Sequence, residues 1–133
     1  MIRYADENDF EIVRIYDRHI REEELQNVIR ARRVLVMFQE DSFVGWLRFS
    51  LFWDEIPFMN MLYFLEQYRG RGYGGQLVKY WEKEMKSSGY EMVMTSTLSN
   101  EPAQFFYRKK GYMDCGSLLL SGVPLEIILK KSL

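Results

Sequence analysis

Apolar residues recur along this chain with two periods, and the alternation between them lays out the elements. Ile2–Tyr4 is a short strand. The acids Asp6, Glu7 and Asp9 then stand where a helix is capped, ahead of Phe10, Ile12, Val13, Ile15 and Tyr16 at helical spacing. Leu25, Val28 and Ile29 share one face of a second helix over Arg21–Ala31, with the turn near His19. Val34–Phe38 and Phe43–Phe49 are rich in β-branched and aromatic side chains and read as an antiparallel hairpin across polar Gln39–Ser42, the second strand running on to Phe52 or Trp53. Asp54–Pro57 breaks the pattern before a central strand, Phe58–Phe64. A glycine-rich turn leads into a helix over Gln76–Ser88 with Leu77, Val78, Trp81 and Met85 as its buried stripe, stopped at Gly89. Glu91–Thr97 reads as an inner strand, Glu101–Lys110 as a short helix, and Tyr112–Leu120 with Leu125–Leu129 as a closing hairpin across Ser121–Pro124. The order predicts an α/β fold: one mixed sheet with helices on both faces, in a single domain over residues 1–133.

Composition narrows the function classes. The 133 residues allow one core but not two. A formal net charge of −1, with both signs scattered, gives no basic stripe for nucleic acid. Cys115 is the sole cysteine, so no internal disulfide forms and a reducing cytoplasm is expected. No apolar run approaches the roughly 18 residues of a membrane span, and the acids near the start do not fit a signal peptide. The methionines read as core filler, and no metal site is expected.

The candidate chemistry sits at the turn after the central strand. Gly70, Gly72, Gly74 and Gly75 give a backbone whose N–H groups are unshielded by side chains, at the opening of a helix whose free donors and positive dipole end suit a pyrophosphate. A nucleoside-triphosphate loop would continue Gly-Lys-Ser/Thr, whereas Gly75 is followed by Gln76-Leu77-Val78. The spacing Gly70-x-Gly72-x-x-Gly75 satisfies a dinucleotide fingerprint, but Met92–Thr97 lacks the acid that would hold a ribose. Arg69-x-x-Gly72-x-Gly74, preceded by the strand residue Phe64, resembles the acyl-CoA pyrophosphate loop of the GCN5-related N-acetyltransferase (GNAT) family; Gln67-x-x-Gly70-x-Gly72 fits the same pattern two residues earlier. Asn100-x-x-Ala103-x-x-Phe106-Tyr107-x-x-x-Gly111-Tyr112 is similar to the family's second landmark.

That resemblance implies a mostly antiparallel sheet in which the central strand and Glu91–Thr97 run parallel and splay beyond Phe64 and Thr97. It implies an acetyl-CoA-dependent N-acetyltransferase acting by direct attack of a primary amine of a small molecule or peptide, as monomer or homodimer. A non-catalytic acyl-CoA sensor or interaction module is the alternative. The cofactor residues it implies are the main chain of Leu62 and Phe64 for the pantetheine arm, Arg69, Gly70, Arg71, Gly72, Tyr73, Gly74 and Gly75 for the pyrophosphate, and Asn100. Tyr107 stands at the position of the acid that protonates the leaving thiolate. The base positions early in the central strand hold Phe58 and Asn60, neither of which is basic; Asp54 and Glu55 are the nearest acids, a water chain ending at Glu55 is one route for the proton, and an amine that arrives already neutral, needing no strong base, is the other. Asp54 and Glu55 together are expected to attract a cationic amine. His19 reads as a helix-end residue in favourable contact with the dipole, with a base role as the alternative. Trp46, Phe49, Phe52 and Trp53 read as core, with a pocket lining as the alternative.

Overall fold

The computed structural model describes all of Met1–Leu133. Its elements are β1 (Ile2–Tyr4), α1 (Phe10–Tyr16), α2 (Glu22–Arg30), β2 (Val34–Gln39), β3 (Ser42–Phe52), β4 (Ile56–Phe64), α3 (Tyr73–Ser87), β5 (Met92–Leu98), α4 (Ala103–Lys109), β6 (Met113–Leu118) and β7 (Glu126–Ser132). The seven strands form one sheet in the order β1-β2-β3-β4-β5-β7-β6. β4 and β5 pair parallel, while the β1–β2, β2–β3, β5–β7 and β6–β7 pairs are antiparallel. No helix is long and apolar enough to cross a membrane.

The chain divides into two compact units, Met1–Ser50 with Met61–Trp81, and Leu51–Asn60 with Glu82–Leu133. In the first unit, alternation along the strands separates two apolar layers. Val34, Val36 and Trp46 pack with Val13 of α1 and with Leu25 and Ile29 of α2. On the opposite face Phe49 meets Trp81 of α3, ring centroids 5.7 Å apart. Helices therefore cover both faces of these strands, as the sequence order predicts. In the second unit Val93, Met94, Tyr107, Tyr112, Ile127 and Leu129 are buried.

Several boundaries differ from expectation, each for a backbone reason. The predicted break at Asp54–Pro57 is a tighter turn: Trp53 and Asp54 adopt φ of 56° and 62°, and Glu55 N–H closes on Phe52 O at 3.1 Å, so the strand resumes at Ile56. Pro57 is tolerated because the registered pairing with β5 begins at Phe58. That pairing comprises Phe58 with Met94 and Met59 with Thr95, and so ends well before the predicted Phe64 and Thr97; the Thr95 hydroxyl instead donates to Met59 O at 3.0 Å. β7 extends through polar Lys130–Ser132 because it pairs with the whole of β5, from Leu98 opposite Glu126 to Met92 opposite Ser132. Glu82, outside the apolar stripe of α3, accepts from Tyr112 Oη at 2.7 Å and Lys131 Nζ at 2.9 Å.

Candidate active site

The glycine turn lies in the first unit. Gly70 and Gly72 hold φ of 75° and 82°, left-handed backbone in which any other side chain is strained. A Cβ built on either would meet nothing within 4 Å, so both face open space. Gln76 N–H donates to Gly72 O at 3.2 Å, which starts α3 at Tyr73 and puts Gly74 and Gly75 inside its first turn rather than ahead of it. The amides of Tyr73, Gly74 and Gly75 precede the first intrahelical donor, and the first turn of this 15-residue helix carries no acid, so its positive dipole end is unopposed.

The two arginines of the turn are partly committed to its architecture. Arg69 Nε donates to Phe64 O at 2.9 Å, and its guanidinium lies 4.9 Å from the centre of the Tyr63 ring. Arg71 lies 5.7 Å from the centre of the Tyr68 ring. Tyr73 stacks on Phe64 at 6.5 Å. Leu62 is half-buried and Phe64 buried at the end of β4. Gly45 of β3 is the residue that lets β4 approach here, since a Cβ on it would overlap Tyr63 O and come within 2.6 Å of the Phe64 ring. An isolated glycine within a strand is the sequence signal that marks such an approach.

In the second unit, Tyr107 projects from α4 with only 7% of its surface exposed. Burial pushes its phenol up to about 12, Glu101 adds to that, and a hydrogen bond with Thr95 acts in the opposite direction. Its ring makes edge contacts with Phe106 at 5.2 Å and Tyr112 at 5.5 Å. The Thr95 hydroxyl itself donates to the Met59 carbonyl of β4, a connection that no spacing in the sequence announces. Thr97, farther along β5, has a buried hydroxyl with no hydrogen-bond partner. Asn100 is exposed in the turn before α4. Glu55 and Asp54 are exposed in the β3–β4 turn. Trp53 is exposed beside them, its ring 4.6 Å from Phe52, so of the four aromatics expected in the core only Trp46 and Phe49 are fully buried.

The loop between α1 and α2 holds a buried charge. Asp17 accepts from Arg48 Nε at 2.8 Å, Arg48 Nη2 at 3.3 Å, Trp46 Nε1 at 3.0 Å and the His19 N–H at 3.2 Å. Four donors on one carboxylate fix the end of α1, the orientation of the indole and the course of the loop together. Sequence separations of about 30 residues concealed this cluster.

Among solved structures, the ribosomal-protein-alanine N-acetyltransferase of Brucella melitensis is similar to this chain at a TM-score of 0.84 and 20% identity, covering 100% of this chain and 99% of that one. The PaiA N-acetyltransferase of Thermoplasma acidophilum, solved with coenzyme A, gives 0.79 and 19%, covering 100% and 98%. A GNAT-family acetyltransferase of Bacillus cereus gives 0.80 and 22%, covering 99% and 96%. Among curated protein sequences none matches significantly. These likenesses show the fold, and the model of the acetyltransferase (GNAT) family matches residues 3–112. With the glycine turn opening α3, one parallel strand pair beside it in sequence and most of its length inside that match, the chain belongs to the acetyltransferase (GNAT) family.

Proposed function

We propose that the protein, acting as one domain, transfers the acetyl group of acetyl-CoA to a primary amine of a small molecule or peptide by direct attack. The observation that carries this reading is the glycine turn: two left-handed glycines facing open space, at the start of a helix without first-turn acids. Bare main-chain donors at the positive end of a helix suit the doubly charged diphosphate of CoA, and the Thermoplasma acidophilum relative was solved with coenzyme A. In this reading the amides of Gly70–Gly75 hold the diphosphate, while Arg69 and Arg71 contribute charge from positions braced on Phe64 and Tyr68. Leu62 and Phe64 offer main-chain groups to the pantetheine arm as an added strand would, and a main-chain N–H near Phe64 polarises the thioester carbonyl. Asn100 hydrogen-bonds the same arm.

The amine forms its bond to the acetyl carbon and loses a proton to water that leads to Glu55. The C–S bond breaks and Tyr107 protonates the departing thiolate. Burial supports the last assignment in one respect and weakens it in another: a phenol held at about 12 stays protonated at neutral pH, but it is a poorer acid than free tyrosine. The exposed, unpaired Cys115 supports a cytoplasmic setting.

Thiol release from acetyl-CoA, measured across amines, amino acids, polyamines, aminoglycosides and peptide N-termini, tests the proposal. At least one acceptor is expected to raise release well above hydrolysis. CoA binding with no release on any acceptor would instead support a non-catalytic acyl-CoA module.

A further inference from the structure

A cavity of about 400 Å3 lies within the first unit, a volume inside the range of roughly 300–1,000 Å3 found for small-molecule sites. Ile15 and Tyr16 form its wall from the end of α1, and Met61 and Tyr63 from β4. Trp46 of β3 also lines it and is itself only 1% exposed. Ile15, Tyr16 and Tyr63 are 51%, 40% and 42% exposed. Single exposed apolar side chains are ordinary, but three around one concavity mark a surface built to be covered. The aromatic members are already ordered against each other, with Trp46 5.2 Å from Tyr63 and 6.4 Å from Tyr16, and the indole N–H is fixed on Asp17. Pre-ordered rings lose little freedom when a ligand packs on them.

The one formally charged side chain lining this cavity is a guanidinium. Arg18 and His19 line it from the α1–α2 loop, and no carboxylate does. Asp17 is close by in the same loop, but it is buried and its oxygens are taken by Arg48, Trp46 and the His19 N–H. Arg14 is paired with Glu11 and Glu22, and Arg48 with Asp17, whereas Arg18 makes no ion pair. An unpaired guanidinium at the edge of an aromatic-walled cavity is arranged to meet a carboxylate.

We propose that this cavity receives the acceptor, and that the acceptor is an amine carrying both an apolar or aromatic body and a carboxylate, an apolar amino acid being the simplest case. The body packs against Ile15, Tyr16 and Tyr63, which the buried Trp46 backs, and the carboxylate pairs with Arg18. This rests on the acetyltransferase reading, in which β4 carries the donor: Met61 and Tyr63 reach the cavity, and Leu62 and Phe64, alternating with them, are the residues offered to the pantetheine arm. A polyamine, by contrast, would bring a second cation to a wall already positive and would leave the aromatic surface uncovered.

Thiol release from acetyl-CoA is compared for phenylalanine, phenethylamine and putrescine, with the wild-type chain and with Arg18→Gln, whose melting temperature is checked first. Binding of N-acetylphenylalanine to both proteins is measured in parallel by calorimetry. Phenylalanine is expected to exceed phenethylamine in kcat/KM by about tenfold or more, the scale of a charge-assisted contact. Arg18→Gln should erase that preference through KM, weakening N-acetylphenylalanine binding by a similar factor. Turnover that favours phenethylamine or putrescine, or a preference that survives Arg18→Gln, would overturn the inference and leave the acetyltransferase reading standing. If no amine releases thiol, the acetyltransferase reading fails and calorimetry decides for the cavity: binding weakened by Arg18→Gln sustains the carboxylate site, and no binding overturns it.

Discussion

The glycine turn and the short helix α4 contribute to the proposed reaction by opposite means. At Gly70–Gly75 the working groups are main-chain amides, and the sequence serves them by removing side chains: Gly70 and Gly72 face open space and no acid enters the first turn of α3. At α4 the working group is a side chain, the Tyr107 phenol, and the sequence serves it by surrounding it: Phe106 and Tyr112 pack on the ring, which is buried. The first region should therefore be sensitive to anything added, and the second to a single oxygen removed.

The largest expected effect belongs to the second region. Tyr107→Phe removes only the hydroxyl, and loss of an acid catalyst should reduce turnover about 10²–10⁴-fold with CoA affinity nearly intact. A Phe variant that turns over normally on a verified acceptor would make Tyr107 a packing residue and leave α4 without a working group.

A smaller effect follows from the same phenol in stability. Its value is raised from 10.0 in a free chain to about 12 in the fold. Below pH 10 both states keep the proton and the group contributes nothing to the pH dependence; above it the unfolded chain ionises first, so stability falls as pH rises from 10 towards 12. The loss attributable to Tyr107 approaches about 3 kcal/mol at the upper end. Tyr112 is also pushed up, by burial and by Glu82, so the wild-type decline should be steeper than one phenol gives. Denaturant unfolding between pH 9 and 12 should show Tyr107→Phe losing less stability than wild type; parallel curves would mean that the phenol is not held in its neutral form by the fold.

The same contrast explains what could be read from the amino-acid sequence. The element order was legible because periodicity reports burial directly: Leu77, Val78, Trp81 and Met85, chosen as the inner stripe of α3, are all buried. The glycine turn was legible because a region that works by bare backbone must be written in glycine. What escaped depends on contacts between distant positions. Asp17 meets Arg48 from 31 residues away, Thr95 meets Met59 from 36, and neither leaves a local pattern. Trp53 and Asp54 take left-handed backbone although neither is glycine, so the β3–β4 turn was placed too late. Arg18 carried no signal at all, because only the fold gathers it with Trp46 and Tyr63 around one cavity.

The diphosphate site at the glycine turn is tested most directly by thermal unfolding of the wild type, Gly72→Asp and Gly72→Asn with and without coenzyme A. Wild type should melt higher with ligand, since a molecule bound only by the native state stabilises it by mass action. Both variants strain the same left-handed position, where asparagine is the better tolerated, but only aspartate sets a negative charge against the diphosphate. Gly72→Asp is expected to lose the ligand-induced rise and Gly72→Asn to keep a measurable part of it. An undiminished rise in Gly72→Asp would contradict the assignment of the glycine turn as the diphosphate site.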